Sequence, residues 1–131
     1  MKKIIVNIIL GFVVLVVAPG CYKVATVVVD NSPAVTKTVS LSKDILPIFT
    51  KNCALSGCHG AGGQVPDLSG NNAFSSLSKG NYLNITTPAN SVLYLWLTGK
   101  EAAAMPFGAQ NNPSNINSLA LAWITQGAKN N

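Results

Sequence analysis

The stretch on which the fold turns is CALSGCHG, residues 53–60. Two cysteines enclose four residues, and the only histidine of the chain, His59, directly follows the second. A thiol pair beside an imidazole has three chemical readings. A disulfide is the first, closing a small loop between Cys53 and Cys58. Zinc is the second, because thiolate and imidazole both suit that metal. A closed zinc site takes four ligands, whereas away from Cys21 the chain offers two cysteines and one histidine. The third is covalent haem. The known attachment signature is C-x-x-C-H, in which two thiols add to the vinyl groups of the ring and the adjacent histidine ligates the iron. Here the gap is four residues, and the two extra ones are accommodated by a loop in which Gly57 makes a sharp bend accessible.

Haem places a second demand on the sequence. A six-coordinate electron carrier needs a distal histidine or methionine. No second histidine exists, and apart from Met1 the only methionine is Met105, in AAAMPFGA. Methionine usually fills gaps in a core. Met105 lies instead in a turn-like segment outside the long apolar runs, which favours a ligand over a core plug.

Working outward, the spacing predicts four short helices. In 42–52, SKDILPIFTKN, Ile45, Ile48 and Phe49 mark one helical face. Ser42 or Asp44 is the expected cap, Asp44 being attractive because it puts Pro47 in the first turn. A second helix is expected at 72–79, ended by Gly80. The run 90–98, NSVLYLWLT, is too uniformly apolar for periodicity to separate helix from buried strand, and Asn90 and Gly99 tip it to helix. The clearest element is 115–126, where Ile116, Leu119, Ala120, Trp123 and Ile124 form a stripe that Gly127 ends. The segments 60–71 and 106–114 are rich in Gly, Pro, Asn and Gln. So much loop leaves little apolar surface to bury, and a large apolar cofactor would supply it.

The N-terminus, MKKIIVNIILGFVVLVVAPGC, has a basic start and an apolar run shorter than the roughly 20 residues of a comfortable membrane span. Residues 1–20 therefore read as an export signal. Cys21, after a small residue at its end, resembles the acylated cysteine of bacterial lipoproteins, although Pro19 is unusual there. The resemblance implies lipidation at Cys21 and a mature chain anchored to a membrane, outside the cytoplasm. Residues 21–40, rich in Val and Thr, read as a tether. VATVVV, 24–29, has strong β propensity, and tether is preferred to strand.

The basic charge is a poor argument for a nucleic-acid partner. All nine basic residues are lysine. A nucleic-acid binder would use arginine forks. After cleavage before Cys21, seven lysines against four acids leave +3, a mild surplus.

Taken together, LPIFTKNC (46–53), CHG (58–60), PDLSG (66–70), NSVLYLWL (90–97), MPFG (105–108) and AWITQGA (122–128) resemble, in order, the small bacterial class I cytochromes c. The resemblance spans about residues 43–128. It implies an all-α fold of about four short helices, with long loops wrapped around one haem c, over a domain at 41–131. It implies thioethers at Cys53 and Cys58, His59 as proximal ligand and Met105 as distal ligand. Pro66 stands where a carbonyl beside the family's proline accepts the His Nδ1–H. Phe49 and Trp123 stand where helices from the two ends of the chain pack together, and Tyr82, Tyr94 and Trp96 are candidate haem neighbours. The function implied is electron transfer to redox partner proteins, with Lys51, Lys79 and Lys100 available to orient an acidic partner, and no enzymatic chemistry. Two other readings are open. One is a haem sensor or peroxidase-like protein with a free distal position. The other is a haem-free lipoprotein module with a Cys53–Cys58 disulfide.

Overall fold

The computed structural model describes residues 32–108 and 112–131. The expected signal, Cys21 and VATVVV lie outside the described residues. The described chain is all-α, with four α-helices, and contains no strand. None of its helices is long and apolar enough to cross a membrane.

The first helical run begins at Leu41. A π-helical turn, Leu41–Ile45, leads into α1, Leu46–Asn52. Within it the Leu46 N–H reaches back five residues to the Leu41 carbonyl. Pro47 accounts for this widening. It has no N–H to donate, and its ring crowds the carbonyl four residues earlier, which a wider turn relieves. The cap is Ser40 rather than Ser42 or Asp44. Ser40 Oγ accepts the Lys43 N–H at 3.3 Å, and Asp44 Oδ2 accepts the Ser40 N–H at 2.8 Å. This is a reciprocal cap with the acid one residue later than usual. The Lys37 ammonium bonded to Asp44, together with the Ser40 N–H, holds that carboxyl below its ordinary range.

α2 spans Ala73–Lys79 and α3 spans Val92–Leu97, so the ambiguous apolar run is helix. α4 is Ile116–Thr125. Short 3₁₀ turns, Pro88–Asn90 and Pro113–Asn115, precede the last two helices. Ser91, rather than Asn90, is the residue at the α3 cap position, and its hydroxyl accepts the Asn84 N–H at 2.8 Å. The first turn of α4 is tied by Asn112, whose Oδ1 accepts the Asn117 N–H at 2.9 Å. Gly127, at φ +95°, ends the helix.

One apolar cluster joins these elements. Leu41, Ile45, Phe49 and Cys53 recur every fourth residue, and all are buried. That spacing keeps them on one helical face. They share the cluster with Leu77, Leu93 and Leu97 and with Ile116, Ala120, Trp123 and Ile124 of α4. The α4 helix contacts both α3 and the Leu41–Ile45 turn. Asn117 also lies in this interior, and neither polar atom of its side chain has a partner among the described residues.

The two ends of the described chain are stitched together. Gln126 Oε1 accepts the Val39 N–H at 2.8 Å, and its Nε2 donates to the Lys37 carbonyl at 3.0 Å. Asn131 receives the Leu41 N–H on its side-chain oxygen at 3.0 Å and the Ser42 N–H on its main-chain oxygen at 2.8 Å. Val39 is buried, and Val35 packs on the cluster. The folded unit therefore takes in the end of the stretch read as tether, before residue 41.

Candidate site around Cys53, Cys58 and His59

The buried stripe of the first helical run delivers Cys53 into the interior, and the chain then turns outward. Cys53 is 7% exposed, whereas Cys58 is exposed. The four residues between them form a tight turn. The Cys58 N–H donates to the Leu55 carbonyl at 2.9 Å, and Gly57 has φ +77°, the left-handed region that glycine enters without strain. Two thiols set at different depths face different chemistry. Neither is in a disulfide.

Burial, reinforced by the nearby Cys58 thiol, pushes the Cys53 thiol up from 9.0 to about 11. Burial raises it because the thiolate is the poorly solvated form. The unfolded chain then ionises first, so this group lowers the stability of the free-thiol chain as pH rises from 9.0 towards 11 and has no effect well below that window. Reactivity follows from the same placement. In the free-thiol chain at about pH 8, iodoacetamide is expected to alkylate Cys58 at least tenfold faster than Cys53, because only exposed thiolate reacts. Peptide mass spectrometry over a time course measures the two rates, and equal rates would contradict the depth difference.

His59 is held at three points. Its N–H donates to the Cys53 carbonyl at 3.0 Å, and its carbonyl accepts the Leu68 N–H at 2.7 Å. Its ring Nδ1 lies 3.0 Å from the carbonyl oxygen of Pro66 itself. A carbonyl only accepts, so Nδ1 is the donor, and in the neutral ring this tautomer leaves the lone pair on Nε2. The loop that brings Pro66 round is packed closely. The Gln64 N–H reaches the Cys58 carbonyl at 2.6 Å, and a Cβ on Gly63 would stand 2.2 Å from that same oxygen. Any side chain at Gly63 would force the loop open.

After Pro66, the carboxylate of Asp67 organises the turn. It accepts the Ser69 N–H at 2.9 Å, the Ser69 hydroxyl, and Asn72 Nδ2 at 2.9 Å. These bonds, the Ser69 hydroxyl first, lower the carboxyl from its ordinary range. The Asp67 N–H donates to Ser76 Oγ at 2.8 Å. Sequence reading passed over Asp67, Ser69, Asn72 and Ser76. The D-x-S spacing in PDLSG was a visible turn signal, but nothing in the sequence tied Ser76 to it.

Met105 is half-buried, and its N–H donates to the Trp96 carbonyl at 3.1 Å, tying its segment to the end of α3. Tyr94 is buried, with Lys100 5.6 Å from its ring centroid, and Tyr82 and Trp96 are half-buried. Lys51 and Lys79 are exposed.

Two thiols and an adjacent imidazole are the donor types of covalent haem attachment. Among the described residues, no group of three or more His, Cys, Asp and Glu side chains is gathered. The site offers two thiols at different depths and one imidazole whose Nδ1 is engaged by the Pro66 carbonyl. A groove of about 440 Å³ lined by Val35, Tyr94, Leu121 and Ala122 contains none of these donors. Comparisons with protein-family models, with curated proteins and with solved structures return no match for this chain.

Proposed function

We propose that the chain is a monohaem electron carrier of the cytochrome c type, anchored to a membrane outside the cytoplasm through Cys21. The observation that carries this reading is the His59 Nδ1–Pro66 carbonyl bond at 3.0 Å. It fixes the tautomer that presents Nε2, and it does so on the residue directly after Cys58. A hydrogen bond from the far ring nitrogen is the usual companion of a ligating histidine. Cys53 and Cys58 would hold the haem as thioethers, and His59 and Met105 would ligate its iron. Bound haem supplies a one-electron ferric/ferrous couple. The chain's own part is to orient the imidazole, shield the ring with the apolar cluster, and meet redox partner proteins in small, brief contacts.

A visible spectrum of the purified exported protein tests this directly. Sharp reduced c-type bands that persist after denaturation are expected. A weak far-red band in the oxidised form reports Met–iron ligation, and Met105→Ala is expected to remove it while the haem stays attached. A band unchanged in that variant would refute the axial assignment and favour an open distal position. A colourless protein would overturn the haem reading.

A further inference from the structure

The peptide between Pro66 and Asp67 is bonded at both ends. Its carbonyl faces His59 Nδ1 at 3.0 Å, and its N–H donates to Ser76 Oγ at 2.8 Å. A peptide group is planar and its C=O and N–H point in opposite directions when trans. Fixing the N–H therefore fixes the direction of the carbonyl. Ser76 projects from α2, a helix anchored in the core by Ala73 and Leu77, both fully buried. The Asp67 carboxylate, held by Ser69 and Asn72, restrains the same peptide from the following residue.

We propose that Ser76 is a positioning residue for His59, acting through the Pro66–Asp67 peptide. The chain of bonds runs from the imidazole N–H to the Pro66 carbonyl, and from the Asp67 N–H to the serine oxygen. Hydrogen bonds in series polarise one another, so the serine also makes the carbonyl a better acceptor. A stronger acceptor at Nδ1 makes the imidazole a stronger donor at Nε2. The assignment rests on His59 being the proximal ligand. On that basis the rigid α2 helix sets both the ring's orientation and its donor strength, without touching the ring.

The test is the exchange rate of the His59 Nδ1 proton, read by nitrogen–proton NMR on the ferrous or haem-free protein. His59 is the only histidine, so the signal is unambiguous. Ser76→Ala is expected to speed exchange roughly fivefold, the worth of about one hydrogen bond. Ser76→Thr, which keeps the hydroxyl, is expected to restore the slow rate. Alanine is the best helix former, so the variant should keep its helix content, checked by circular dichroism. Ser78→Ala is the control, since Ser78 Oγ bonds the Phe74 carbonyl of its own helix at 2.7 Å. In the haem-loaded protein, Ser76→Ala should also shift the midpoint potential upward, because a weaker imidazole donor favours ferric iron less. Wild-type exchange in a folded Ser76→Ala, or equal acceleration in Ser78→Ala, would overturn the proposal. A colourless protein in which the exchange rates still separate would support the bonded relay to His59 while overturning the haem reading.

Discussion

Replacing both cysteines, Cys53→Ser with Cys58→Ser, is expected to abolish the covalent haem attachment proposed above. A thiol adds to a vinyl group because its sulfur is strongly nucleophilic; an unactivated serine hydroxyl is not. Haem staining after denaturing electrophoresis, with intact-chain mass, measures the loss, which should be complete. Each single variant should retain one thioether. Covalent haem surviving in the double variant would place the attachment elsewhere and sink the assignment. The single variants should differ in stability even without haem. Cys53 ends the buried stripe that begins at Leu41, so Cys53→Ser buries a hydroxyl and is expected to cost about 1–3 kcal/mol. Cys58 is exposed, and its replacement should change stability by less than about 0.5 kcal/mol.

The second large effect concerns the core that carries the site. Trp123→Ala is expected to cost about 3–5 kcal/mol. Trp123 is 1% exposed, and its indole N–H donates to the Lys129 carbonyl at 2.8 Å. The truncation therefore removes both a buried ring and the bond that folds residues 127–129 back on α4. For a domain of this size, each kcal/mol shifts the melting temperature by about 4–8 °C. A fall of roughly 12–40 °C follows. Trp123→Phe keeps most of the apolar area, and its cost should be under half as large. Thermal melts followed by circular dichroism discriminate the two. A Trp123→Ala melt within a few degrees of wild type would show that α4 is not the keystone of the packing.

Both effects start from features that local sequence already exposed. The α4 stripe was legible because Ile116, Ala120, Trp123 and Ile124 recur with helical period and meet a glycine at the end. The first helix was legible in type but misplaced at its start. Its true cap, Ser40, is recognisable only once Asp44 is seen to reach back to the Ser40 N–H while Lys37 holds its other oxygen. The run at 90–98 was undecidable by periodicity, because buried helices and buried strands both read as continuous apolar sequence. The flanking Asn90 and Gly99 pointed to helix, and the structure has α3 there, with Ser91 rather than Asn90 at its cap position.

The candidate site divides in the same way. By itself the sequence determined the chemistry available: two thiols, one imidazole and one internal methionine, with no further histidine to compete for the roles. Those are properties of residue type and count, and folding does not alter them. Only the tertiary structure decided that Cys53 lies buried while Cys58 faces solvent, and that the carbonyl facing His59 Nδ1, expected near the proline, is that of Pro66 itself. It also decided that Ser76, nine residues beyond Asp67, steadies that carbonyl. Hydrogen bonds between main-chain groups and distant side chains leave almost no trace in residue identity, since every peptide offers the same donor and acceptor. Which of them meet depends on how α2 and the loop after His59 pack on the shared core.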